Sequence, residues 1–233
     1  MSKLRIAIIG AGLGGLTLAS AITSMDEDRK IEVDVYEAAP KLAEIGAGIS
    51  LWPRTYQLLS KIGLRDEVLR HCDGEQAKKD PSLVFEFRKS NQPNGFKILN
   101  MYEEGGLVRI HRANLQKILV NHATKRCRLH LSSKLVSYTE HEDSVQMVFE
   151  NGSTGTCDLL IGADGVKSVM RRLFLTNQPG DGYKESIDPV WSGSYAYRGI
   201  VSSEELFKKL PGHRAARDSV MVCSHLPRAF TTT

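Results

Sequence analysis

An apolar run that stops on a cluster of glycines constrains this chain more than any other feature. Leu4-Arg5-Ile6-Ala7-Ile8-Ile9 leads into Gly10-Ala11-Gly12-Leu13-Gly14-Gly15, and residues at helical spacing follow. The pattern predicts a buried strand, a tight turn and the start of a helix. In such a GxGxxG turn Gly10 permits the bend, Gly12 lets a pyrophosphate approach bare backbone, and Gly15 lets helix and strand pack together. The free N–H groups at the helix start face the phosphate. The turn carries meaning only in context, which requires a second strand about twenty residues on that ends in an acid. Ile31-Glu32-Val33-Asp34-Val35-Tyr36 alternates as a strand does, and Glu37 follows it. A carboxylate there can accept hydrogen bonds from both hydroxyls of a ribose. The expectation is a βαβ unit that grips a dinucleotide.

With 233 residues the chain can bury a core as one large domain or two small ones. Its net charge is +4 and its basic residues are scattered along the sequence, so nucleic acid is not implied, while small anionic ligands stay open. The longest apolar runs fall well short of a membrane span, and the first of them is the nucleotide strand rather than a signal segment. A soluble, cytoplasmic protein is therefore expected. Cys72, Cys127, Cys157 and Cys223 lie far apart, with no CxxC pair and no histidine at zinc spacing. This predicts reduced structural thiols and no metal site.

Leu13 to Ser24 predicts the first helix, and Glu44 to Pro53 forms a second glycine-rich segment suited either to backbone beside a flat ligand or to a plain loop. Arg54 to Ile62 has helical periodicity and stops at Gly63, and Leu64 to His71 continues as a shorter amphipathic piece. From Asp80 to Met101 the texture is that of strands around a turn at Asn91 to Gly95. Val108 to Arg112 leads into a helix from Ala113 to about His122. Strands are predicted at Arg128–Leu131, Lys134–Thr139 and Val145–Phe149, with Asn151-Gly152 as a two-residue hairpin turn. A buried strand then ends in the Gly162-Ala163-Asp164-Gly165 loop before a helix from Ser168 to Phe174. Val190 to Val201 reads as a strand and Glu204 to Leu210 as a short helix.

Three of these segments in this order resemble the class A FAD-dependent aromatic monooxygenases, with the salicylate hydroxylase-like branch nearest. They are GAGLGG with Glu37, the His111-Arg112-Ala113-Asn114-Leu115 junction, and Asp158 to Gly165. The resemblance implies an α/β fold: a Rossmann-like FAD-binding domain with an inserted, incomplete β-sheet substrate lobe. It implies FAD-binding segments at 1–79 and 106–180, a substrate-lobe excursion at 80–105, and an incomplete lobe with an altered tail at 181–233. FAD is the implied cofactor and NAD(P)H the co-substrate, with O2 and a small aromatic molecule as reactants and hydroxylation as the reaction.

By the same resemblance Gly10, Gly12 and Gly15 match the pyrophosphate turn, Glu37 the ribose ligand, and Gly48 a backbone contact beside the cofactor. Arg112 matches a cofactor-contacting arginine, and a cation at a helix start is in any case opposed by the dipole unless an anion joins it. Asp164 matches the acid of a second box tied to FAD and reduced nicotinamide. An acid in a loop at a strand's carboxyl end lies where open α/β sheets collect ligands, although it can also be a turn aspartate that fixes its own backbone. Arg198, in Tyr195-Ala196-Tyr197-Arg198-Gly199, is the candidate catalytic residue.

The chain also departs from the family pattern. It has no Gly-Asp-Ala-His-type third box, its end reads as truncated, and Arg54 stands where an asparagine is usual. A non-catalytic, truncated flavin- or nucleotide-binding homologue is therefore a second reading. An NAD-binding dehydrogenase domain follows from the first forty or so residues alone, and the Arg112 and Asp164 segments speak against it.

Overall fold

The computed structural model describes residues 3–42, 48–72, 80–89, 96–195 and 201–213, together with the backbone of 221–224. In chain order it begins with β1 (Leu4–Ile9), α1 (Leu13–Met25), β2 (Ile31–Tyr36), β3 (Gly48–Leu51), α2 (Pro53–Lys61) and α3 (Arg65–Arg70). Next come β4 (Ser82–Lys89), β5 (Lys97–Glu103), β6 (Val108–His111), α4 (Arg112–Ala123), β7 (Cys127–His130) and β8 (Leu135–Glu140). It closes with β9 (Val145–Phe149), β10 (Thr154–Cys157), β11 (Leu159–Gly162), α5 (Val169–Thr176), α6 (Ser203–Lys209) and β12 (Met221–Ser224). Two compact units are built from interleaved segments, one from Met1–Gly46, Leu59–Arg70 and His111–Tyr195, the other from Ala47–Leu58, His71–Ile110 and Ala196–Thr233.

The first unit is an α/β, Rossmann-like layer structure around a four-stranded parallel sheet in the order β11-β1-β2-β7. Ile6, Ala7, Ile8 and Ile9 are all buried, as a parallel strand covered on both faces requires. On one side α1 buries Leu16, Ala19, Ser20 and Thr23 and packs with α4, which buries Leu115, Ile118, Leu119 and Ala123. On the other, Ala7 and Ile9 join Leu135, Met147, Phe149 and Cys157 in one cluster, the last four contributed by the antiparallel ribbon β10-β9-β8. Full burial of a side chain the size of Met147 or Phe149 contributes roughly 1.5–3 kcal/mol.

Pairing of β2 with β7 sets Asp34 beside Arg128 and Tyr36 beside His130. Arg128 makes a two-pronged pair with Asp34 at 2.8 and 2.7 Å, and His130 Nε2 lies 2.6 Å from the same carboxylate. Burial pushes the Asp34 carboxyl up, but the hydrogen bonds of Arg128 and His130 outweigh it and hold it below the ordinary range. The Tyr36 ring stacks on His130 and on Phe149, each at 4.6 Å. Burial, with a further push from Asp34, lifts its phenol to about 12. This network braces the strand end that carries Glu37, whose N–H donates to the His130 carbonyl at 2.8 Å.

In the second unit β4 pairs antiparallel with β5 and parallel with β12, and β3 pairs with β6. The Trp52 and Phe85 rings lie 6.4 Å apart, and Phe85 and Phe87 6.2 Å apart.

Some expectations need correction. The helix expected from Arg54 begins at Pro53, because proline suits a first helical position whose N–H would be unpaired anyway. Ser168 is the cap of α5 rather than its first residue. Of the Asn151-Gly152 pair only Gly152 takes a positive φ, 81°. The Asn151 side chain instead accepts from the Ser153 N–H at 2.9 Å and donates to the Ser132 carbonyl at 3.0 Å, so the connection is a longer turn than two residues. The strand expected at Val190–Val201 is not formed over 190–195, where Val190, Trp191 and Tyr195 are exposed. Strand-forming residues make a strand only where a neighbouring edge accepts their backbone bonds. Residues 196–200 and the turn expected at Asn91 to Gly95 lie outside the described residues.

Cys72, Cys127 and Cys157 are free thiols, and burial raises the pKa of the last two. Among the described residues no helix is long and apolar enough to cross a membrane, and no cluster of side chains could hold a metal ion.

Candidate cofactor site

The glycines of the β1–α1 turn fall into two kinds. Gly10 has φ 107°, and a Cβ there would lie 2.5 Å from the Ala163 carbonyl oxygen. A Cβ on Gly15 would lie 2.0 Å from the carbonyl oxygen of Gly10. The chain's own packing therefore demands these two. At Gly12 the backbone is ordinary extended chain, φ −70° and ψ 177°, and among the described residues nothing lies within 4 Å of an added Cβ. No contact with a described residue explains glycine at this position, and the space a side chain would fill is open among them.

That space stands over the start of α1. Gly12 is the N-cap of the helix, no side chain caps it, and its first turn carries no acid. Among the described residues the N–H groups of Gly12, Leu13, Gly14 and Gly15 have no acceptor, and the first paired amide is that of Leu16, 3.0 Å from the Gly12 carbonyl. Unpaired amides at the positive end of a helix dipole are suited to an anion. Glu37 faces the same turn from the end of β2. Its Oε2 accepts from the Ala11 N–H at 2.9 Å and its Oε1 from the Ala39 N–H at 3.0 Å. The carboxylate is thus fixed in direction while each oxygen keeps a further lone pair for a hydroxyl donor. An anionic linker next to a hydroxylated sugar matches this donor and acceptor set, so the residues present fit a dinucleotide such as FAD.

Asp164 stands at the end of β11, one strand away. Its Oδ1 accepts from the Ser168 hydroxyl at 2.6 Å, and its Oδ2 accepts from the N–H groups of Val169 and Met170 at 2.7 and 3.0 Å. Ser168 Oγ in turn accepts from the Arg171 N–H at 2.9 Å, which completes the cap of α5. Asp164 also borders a cavity of about 230 Å³ with Gly10, Tyr36, Glu37, Ser133 and Lys167. Ligand pockets commonly run to roughly 300–1,000 Å³, so this one holds a fragment of a dinucleotide at most. Sequence reasoning gave no role to Ser133, Lys134 or Lys167. A lysine within the Gly165-to-Ser168 loop was the only local hint of a polar lining.

Arg112 opens α4, exposed and with no partner among the described residues. Gly48, in the second unit, begins β3, and no described residue lies within 4 Å of a Cβ placed there. Arg198 lies outside the described residues.

The FAD binding domain family matches residues 3–228. The chain belongs to that family. A salicylate hydroxylase of Pseudomonas putida is 32% identical over 205 residues, covering 87% of this chain and 44% of the relative. The FAD-dependent monooxygenase str9 of Strobilurus tenacellus is 30% identical over 231 residues, covering 92% of this chain and 49% of the relative. A solved salicylate hydroxylase substrate complex superposes with a TM-score of 0.62 at 27% identity, covering 77% of this chain and 40% of that one. The chain spans about half the length of the curated relatives it matches.

Proposed function

We propose that this chain binds FAD over the β1–α1 turn and serves an NAD(P)H- and O2-dependent hydroxylation of a small, salicylate-like aromatic molecule. The observation that carries the reading is the bare face of Gly12 above four amides without acceptors, with Glu37 held beside them. A bound flavin would carry reducing equivalents from NAD(P)H to O2, chemistry that no side chain supplies.

In this reading the amides of Gly12 to Gly15 and the α1 dipole hold the pyrophosphate. Gly10 and Gly15 let the turn close beneath it, and Glu37 accepts from the ribose hydroxyls. Asp164 holds the Ala163–Gly165 loop at the edge of the adjoining cavity. Arg112 offers a free cation to the cofactor's anionic portion. Gly48 and Arg198 take their roles, backbone contact and catalytic cation, from the family resemblance. A flavin-binding chain without hydroxylase chemistry of its own is the second reading, favoured by a described site whose donors and acceptors address the cofactor alone.

The test is to titrate the purified chain with FAD, following quenching of flavin fluorescence, and then to supply NADH or NADPH with salicylate. Saturable FAD binding and a hydroxylated product are expected. FAD binding without product selects the second reading, and a chain that takes up no FAD overturns both.

A further inference from the structure

Five cations that are scattered in the sequence meet at the edge of the parallel sheet opposite Gly12. Lys3 precedes β1, Arg29 precedes β2, and Lys125, Arg126 and Arg128 surround the start of β7. Together with Glu32 they line a cleft of about 270 Å³. Strand β2 starts at this cleft and ends next to Glu37, so the cleft and the flavin corner stand roughly 16 Å apart.

The protein answers three of the five charges. Arg126 donates to Asp26 Oδ2 at 3.1 Å, Arg128 forks onto Asp34, and Lys3 reaches Glu32 at 3.2 Å. Arg29 and Lys125 are exposed, and among the described residues no carboxylate pairs with either. Five cations against three carboxylates leave an excess of two positive charges.

The two loops that present this excess are fixed to one another. Asp26 is buried, and its carboxylate accepts from the Lys30 and Ile31 N–H groups at 2.9 and 3.1 Å. From the loop before β7 the Arg126 guanidinium donates to the carbonyls of Thr23 and Asp26, the latter at 2.8 Å. Arg29 sits within this clamp at φ 56°, a left-handed conformation that glycine adopts without strain and arginine does not. The turn would close as well on a glycine, and the arginine adds only a cation to the cleft.

Cations gathered in a concave site raise the local concentration of anions, and arginine beside lysine offers phosphate oxygens a planar fork and a point charge. An excess of two matches a phosphate group, which carries about −1.5 to −2 near pH 7. We propose that this cleft is a second anion site, which takes the phosphate group of a small phosphomonoester or free inorganic phosphate, with Arg29 and Lys125 as its ligands. The site is independent of the flavin reading.

The test titrates inorganic phosphate and, separately, glycerol 3-phosphate into the isotope-labelled full chain at constant ionic strength, with sodium chloride as the balance. The amide resonances of Lys30 and Arg126 are expected to shift and saturate, while those of Gly12 to Gly15 report the flavin corner separately. An ester that binds as tightly as phosphate or more tightly names an organic phosphate as the occupant, and one that binds more weakly names the free ion. Arg29→Gly removes the cation and relieves the left-handed backbone, so it should leave the thermal midpoint close to that of wild type and weaken phosphate about tenfold. Lys125→Gln, on the exposed rim, should weaken it about three- to tenfold, and the two together at least about 30-fold. Shifts that do not saturate, that chloride alone reproduces, or that persist unchanged in the double variant would overturn the site. A response confined to Gly12 to Gly15 would also overturn it, and would leave the flavin site standing.

Discussion

Among the described residues the amides that open α1 at the end of β1 have no acceptor, whereas at the end of β11, one strand away, those of Val169, Met170 and Arg171 at the start of α5 are taken. Both corners lie on the carboxyl edge of the same parallel sheet, and both pass from strand through a glycine-bearing loop to a helix. At β11 the chain supplies its own anion, the Asp164 carboxylate, to the helix start. At β1 it supplies none, and it keeps Gly12 bare where a side chain would have had room. A helix terminus left open beside one that is closed suits an anion from outside the chain. The closed corner also supports the open one, because the Ala163 N–H donates to the Ile9 carbonyl at 2.7 Å and the Ala163 carbonyl lies where a Cβ on Gly10 would be.

Substitutions within the turn separate the two kinds of glycine most sharply. Gly10→Val forces a β-branched residue into the left-handed region and against the Ala163 carbonyl, and it is expected to cost roughly 3 kcal/mol or more. Gly12→Val should leave the chemical-denaturation midpoint nearly unchanged and weaken FAD at least about 100-fold, since it fills the space the ligand needs. If the two variants behaved alike in both assays, the contrast between them would be lost.

At the closed corner Asp164→Ala removes the acceptor for one hydroxyl and two amides, so a loss of about 2 kcal/mol in urea unfolding is expected. Its FAD affinity should fall less than that of Gly12→Val. A flavin loss as large as that of Gly12→Val, with stability intact, would mean that the carboxylate touches the cofactor directly. Glu37→Gln keeps shape and loses charge, and it should weaken FAD about tenfold while a control anion, inorganic pyrophosphate, binds as before.

The smallest effect belongs to the braces of β2. Asp34 is held below the ordinary carboxyl range, so its contribution is present above the unfolded value near 4 and is lost as pH falls through the lower folded value. Tyr36 runs the other way. Its phenol is raised to about 12, so its contribution is full below about pH 10 and is lost between there and about 12. Stability measured against pH should therefore slope at both ends, and Asp34→Asn should flatten the acid arm most and, by removing its push on Tyr36, soften the alkaline arm to a lesser degree.

The open corner was legible in the sequence because everything that makes it is local. The strand, the three glycines and the acid after the next strand lie within 34 consecutive residues, and Leu4–Ile9 and Ile31–Tyr36 fold as their alternation and burial predict. The closed corner was only half legible. Asp164 could be seen in its loop, yet which of its two physical roles it fills depends on Ser168 and α5 turning back onto it. Distant pairings were not legible at all. Asp34 meets Arg128 and His130 only because β2 and β7 lie side by side, and the scattered Lys3, Arg29, Lys125, Arg126 and Arg128 come to line one cleft at the opposite edge of the sheet.

The most direct measurement is amide nuclear magnetic resonance of the labelled chain during a titration with FAD. The signals of Gly12, Leu13, Gly14 and Gly15 are expected to move together and saturate, while those of Val169, Met170 and Arg171 stay close to their starting positions. Saturable binding that leaves the four α1 amides unmoved would contradict it.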